Sequence, residues 1–146
     1  MSPTDIETAD QCGSYRRVLG LPVVVVPRSR WIVVRRVDGL VDAVVMPSWL
    51  GTKVALWLAM DQQLGPVIEH QQTARTTFVT GPPDGYEHTI FATLVRLNAG
   101  LGGSYIMLPS RGDGPSGDRR WLFLPRNGFR PAMRVVLDAV VAVSRR

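Results

Sequence analysis

Leu40-Val-Asp-Ala-Val-Val-Met46 runs without a break into Pro47-Ser-Trp-Leu-Gly51. The first stretch has the β-branched, apolar make-up of a strand. After the Pro-Ser step, Leu50, Val54, Trp57 and Leu58 fall at helical spacing, and Ser48 is placed to cap that helix. Side chains alternate across a strand, so Leu40, Asp42, Val44 and Met46 share one face and Val41, Ala43 and Val45 the other. Only Asp42 breaks the apolar pattern. A strand that launches a helix directly points to an α/β or α+β fold, in which the carboxyl end of the strand is a common place for ligands and metals.

Upstream, residues 1 to about 15 lack apolar periodicity and are expected to form a flexible or loosely docked arm, with a single domain over 16–146. Val23-Val-Val-Val26, between Pro22 and Pro27, suits a short buried strand. Trp31-Ile-Val-Val-Arg-Arg36 and the opening strand flank Asp38-Gly39, a favourable hairpin turn. Downstream, Val67-Ile-Glu69 and Thr76-Thr-Phe-Val-Thr80 read as strands about a turn at His70-Gln-Gln72. Glu87 to Leu97 has helical spacing, and Gly100-Leu-Gly-Gly103 breaks it. Ser104-Tyr-Ile-Met-Leu108 is the next strand, Pro109 to Gly117 an exposed loop, and Arg119-Arg-Trp-Leu-Phe-Leu124 a strand with Arg119, Trp121 and Phe123 on one face. Pro131 opens a last helix whose apolar stripe is Ala132, Val135, Val136, Ala139, Val140 and Val143. The sum is one mixed sheet of about seven strands with about three packed helices.

A chain of 146 residues supports one domain with a real core. No apolar run is long enough to span a bilayer, since Asp42, Lys53 and Asp61 interrupt the most apolar region. No secretory signal is visible, Cys12 is the single cysteine, and a cytoplasmic setting is expected. The net charge of +5 rests on sixteen arginines and Lys53. Such an arginine bias also looks like GC-rich codon usage, so clustering matters more than the count. From Ser110 to Arg146 eight arginines stand against Asp113, Asp118 and Asp138.

Metal-dependent phosphoryl chemistry wants two carboxylates at i and i+2 on one strand face. Asp42 stands alone there, and Asp38 belongs to the turn. His70 and His88 have no metal-ligand spacing, no Gly-x-Ser-x-Gly elbow exists, and Gly100–Gly103 lies in the wrong order for a dinucleotide loop. No metal and no cofactor is expected. The constellation with a positive reading is basic: Arg35, Arg36, Arg111, Arg119 and Arg120, with Trp121 beside them, could pair phosphates and stack a base. A solvated arginine surface, with Trp121 in the core, accounts for the same residues.

Three stretches together carry a family likeness. They are Val41-Asp-Ala-Val-Val-Met-Pro47, then Gly65-Pro-Val-Ile68 with Arg75-Thr-Thr-Phe-Val-Thr-Gly-Pro82, and Gly102-Gly-Ser-Tyr-Ile-Met-Leu-Pro-Ser110. In order and spacing the chain from Trp31 to Arg146 resembles the bifunctional DNA primase/polymerase N-terminal (prim-pol) domain of the archaeo-eukaryotic primase superfamily, in its small actinobacterial form. The resemblance implies a prim-pol-like fold. It puts Val44 and Met46 where active relatives hold metal-binding aspartates, Thr76 at the nucleotide-contacting histidine, and Leu97 near the third acid. Shifting the first strand by two residues brings Asp42 onto the first acid position and leaves Val44 at the second.

The expectation is therefore a non-catalytic primase/polymerase-like domain that binds DNA or RNA weakly through its arginines. A protein-interaction or regulatory module, with a protein partner or a second copy and with Met46 and Trp49 filling the former cleft, is the alternative. A residual nucleotidyltransferase using Asp42 is the third reading. No membrane partner is expected.

Overall fold

The computed structural model describes residues 2–36, 39–110 and 118–146. In chain order the elements are α1 (Pro3–Leu19), β1 (Val23–Val25), β2 (Ile32–Arg35), β3 (Asp42–Pro47), α2 (Ser48–Met60), β4 (Val67–His70), β5 (Arg75–Thr80), α3 (Tyr86–Thr89), α4 (Phe91–Arg96), β6 (Gly100–Leu101), β7 (Tyr105–Leu108), β8 (Arg119–Phe123) and α5 (Met133–Ser144). The α+β class is the one the sequence implies, but the strands divide between two sheets. One has the order β1-β2-β7 and the other β6-β3-β5-β4-β8. All described pairings are antiparallel, so neither sheet is mixed.

Strand β3 is central because both of its faces are buried. Val41 and Ala43 join Ile68, Val79 and the three-stranded sheet in one core, which α1 closes with Cys12, Tyr15 and Leu19. Val44 and Met46 join Val67 and Phe78 in a second core, against Leu50, Val54 and Leu58 of α2 and Val136, Leu137 and Val140 of α5. A strand buried on both faces reads as a continuous apolar run, which is why its sequence shows so little alternation. Each such fully buried side chain contributes about 1.5–3 kcal/mol.

Several expectations change. The segment expected as a loose arm is helix α1, with Thr8, Cys12, Tyr15 and Leu19 buried along one side. Its start is a capping box. The Ser2 hydroxyl accepts from the Asp5 amide at 3.2 Å, and the Ser2 amide donates to Asp5 Oδ2 at 3.0 Å. These bonds from the Ser2 side chain and backbone hold the Asp5 carboxyl below its ordinary pKa. Gly20, at φ 66°, ends the helix.

The hairpin through Asp38-Gly39 does not form. Strand β2 pairs with β1 and β7, whereas β3 pairs with β5 and β6; Asp38 itself lies outside the described residues. Ser48 is the first residue of α2, and its side chain makes no cap hydrogen bond; the N-cap is Pro47. The helix expected over Glu87–Leu97 is split into α3 and α4 about Ile90.

Trp121 and Phe123 do not share a face. The β4–β8 ladder is irregular between Val67 and Ile68, where Phe123 pairs with Val67 and Trp121 with Ile68, leaving Leu122 as a bulge. Trp121 thus packs into the α1 core and Phe123 into the α2–α5 core. Among the described residues no helix is long and apolar enough to cross a membrane.

Candidate functional site

The sheet face that β3 turns away from α2 is only partly covered. A groove of about 320 Å³ lies on this face, lined from both sheets. Ala43 and Val45 of β3 and Thr77 of β5 line it, as do His70 at the end of β4 and Arg119 at the start of β8. Arg75 and Thr73 stand at one end, and Gly102, Gly103 and Tyr105 to Met107 form the opposite wall.

The local sequence explains each placement. Gly102 lies flat on β3: its amide donates to the Ala43 carbonyl at 2.9 Å, and a Cβ there would come within 3.0 Å of the Ala43 side chain. Arg36 fixes the same loop, its Nη1 donating to the Gly102 carbonyl at 2.9 Å and its amide to the Ser104 carbonyl at 2.8 Å. Across the groove, His70 Nε2 and the Thr77 hydroxyl are hydrogen-bonded at 2.9 Å. Arg75 Nη1 donates to the Asn98 carbonyl at 2.7 Å, and Arg119 Nη1 lies 3.7 Å from the Met107 sulfur. The groove therefore presents two guanidiniums, an imidazole, two threonine hydroxyls and an aliphatic floor, with no carboxylate in its lining among the described residues. Tyr105, 59% exposed, stands at its edge. Such a surface suits a phosphate-bearing ligand with a flat apolar part.

The positions that the resemblance assigns to metal and nucleotide chemistry lie on the other side of the sheet. Val44 and Met46 are fully buried against the helices, and Leu97 packs on the same core. Met46 is the register partner of Thr76, so these two do come together. Thr76 is 1% exposed, and its hydroxyl donates to Ser48 Oγ at 3.2 Å. Gly51 of α2 lies so close that a Cβ there would sit 2.7 Å from Thr76 Cβ. The groove-facing residues are their neighbours Ala43, Val45 and Thr77, because a step of one residue along a strand reverses the face. Trp49 does not fill a cleft: it is 58% exposed, whereas Met46 is buried.

A metal pair of the kind that the resembled family uses does not fit either face. Ala43, Val45, Val44 and Met46 offer no side-chain oxygen ligand, and no group of three His, Cys, Asp or Glu is close enough to hold an ion among the described residues. Asp42 is buried at the far end of β3. Its Oδ1 accepts from the Ala43 amide at 2.8 Å and lies 3.7 Å from Arg36 Nη1.

The expected basic patch is dispersed. Arg35 is exposed on β2, opposite Tyr105. Arg36 clamps the glycine loop and Asp42. Arg111 lies outside the described residues. Arg119 faces the groove, while Arg120 points to the opposite face and pairs with Glu69 at 3.3 Å. Trp121 is a core residue: its indole N–H donates to Tyr15 Oη at 2.9 Å, and the two rings meet edge to face at 5.6 Å. Sequence reasoning missed His70, Arg75, Thr77 and Tyr105 as a group. The usable signal was parity, since Ala43, Val45 and Thr77 alternate with the residues that face α2.

No family model, no curated protein and no solved structure matches this chain.

Proposed function

We propose that this chain is a non-catalytic, primase/polymerase-like domain that binds nucleic acid weakly, holding backbone phosphate in the groove between its two sheets. One observation carries the reading: Arg75, Arg119 and His70 converge on a concave space that, among the described residues, no carboxylate lines. Guanidiniums bind phosphate oxygens by charge and by paired N–H donors. The exposed ring of Tyr105 offers a stacking face for an unpaired base, which favours a single strand over a duplex. The absence of ligand atoms on Ala43 and Val45 argues for binding without phosphoryl transfer. A cytoplasmic place goes with such a role.

Fluorescence anisotropy with labelled single-stranded and duplex DNA, at two salt concentrations, tests this. Log affinity is expected to fall linearly with log salt, and each guanidinium removed from a phosphate should lower the slope by about 0.7 on a single strand. Arg75→Gln with Arg119→Gln should therefore reduce the slope by about 1.4. Arg120→Gln, on the other face, should leave affinity within about twofold of the parent. Absence of binding at low salt, or a parental slope in the double variant, would refute the assignment.

A further inference from the structure

Helix α2 is apolar on the side that faces solvent as well as on the side that faces the core. Leu50, Val54 and Leu58 point inward, yet Trp49, Leu56 and Met60 stand out at 58, 64 and 87% exposure. A helix apolar on all sides normally has a second covering. Between α2 and the end of α5 lies a groove of about 360 Å³, lined by Lys53, Leu56, Trp57, Met60, Val143 and Arg146. Its charged side chains, Lys53 and Arg146, are both cationic, and each lies against an indole. Arg146 lies over the Trp57 ring at 4.7 Å, and the Lys53 ammonium lies 5.6 Å from the centroid of Trp49.

We propose that this groove docks an acidic amphipathic helix of a partner protein. Its apolar anchors would lie against Leu56, Trp57 and Met60, and its flanking carboxylates would meet Lys53 and Arg146. The argument is complementarity. An apolar strip edged by two ring-stacked cations is satisfied by a ligand that brings apolar residues at i, i+3 or i+4, and i+7, with acidic residues beside them. A basic helix would set like charges against Lys53 and Arg146. Nucleic acid would meet an aliphatic floor and an indole ring, Trp57, that already carries Arg146. This site is separate from the phosphate groove and does not depend on it.

Selection of random peptides of about 16 residues displayed on phage, against the intact chain, tests the proposal. Enriched sequences should be acidic with helical apolar spacing. A synthetic peptide of the enriched sequence, titrated by tryptophan fluorescence, should lose at least about tenfold in affinity against Met60→Glu, which removes an anchor and adds a repelling charge. Met60 is 87% exposed, so that variant keeps its fold, and circular dichroism checks this. The same peptide should bind Arg75→Gln as it binds the parent. Four results would each overturn the idea: no enrichment, enrichment of basic or unpatterned sequences, preferential binding to phosphatidylglycerol vesicles, or self-association abolished by Met60→Glu in place of peptide binding.

Discussion

Replacing Tyr15 by Phe removes one oxygen atom and tests whether α1 is an integral wall of the domain. That oxygen donates to the Pro109 carbonyl at 2.8 Å and accepts from the Trp121 indole at 2.9 Å. The Phe variant keeps the edge-to-face contact with Trp121 and strands a carbonyl and an indole N–H. Each polar group left buried without its partner costs about 1–3 kcal/mol. Tyr15 is 9% exposed, so water replaces the lost bonds only in part, and the two together should cost about 2–4 kcal/mol. For a domain of this size that corresponds to a melting temperature lower by roughly 6–12 °C. Urea unfolding, followed by tryptophan fluorescence and by far-ultraviolet circular dichroism, measures it. The midpoint should fall with the slope unchanged. A loss below about 0.5 kcal/mol would refute the reasoning, because the hydroxyl would then be as well served by water as by the protein.

Other substitutions separate structural from functional roles. Asp42→Asn should destabilise the fold by about 1–3 kcal/mol, less than a fully buried ion pair because Arg36 is partly exposed, and should leave the salt dependence of DNA binding unchanged. Lost affinity at full stability would instead make Asp42 a site residue. Gly51→Ala drives a methyl group to 2.7 Å from Thr76 Cβ. Overpacking of about 1–3 kcal/mol should outweigh a gain of about 1 kcal/mol in helix propensity, so thermal denaturation should show a net loss. Asp5 supplies a pH test. Its folded-state pKa is depressed, so the cap contributes fully above the ordinary value of 3.8 and is lost as pH falls through the lowered one. An acid titration of helicity should show that step, and Asp5→Asn should flatten it.

Strand β3 was legible as an apolar run broken only by Asp42, and α2 and α5 were legible because their inward apolar residues repeat at helical spacing. Helix α1 was not, although Thr8, Cys12, Tyr15 and Leu19 fall on one helical side. Two of the four are small and polar or weakly apolar, so the stripe does not stand out by hydropathy; the Ser2–Asp5 box was the readable signal. The false hairpin arose from an attractive turn pair, while long-range pairing to β7 and β5 decided the outcome. For the site, composition could count arginines but not tell which face of a strand they occupy. Arg119 and Arg120 adjoin in sequence, yet one lines the groove and the other meets Glu69.

Leu122 shows how the chain could change length without changing shape. It is the surplus residue in β8, 42% exposed, and both of its neighbours already have partners on β4. Excising it would turn the irregular ladder into a regular one with Trp121 on Ile68 and Phe123 on Val67. Excising either neighbour would instead delete an aromatic ring and put Leu122 in its place, taking Trp121 from the α1 core or Phe123 from the α2–α5 core. Relatives one residue shorter at this point, with both aromatics kept, would preserve the α1 dock and the groove, which makes this the place where a gap in an alignment should be drawn.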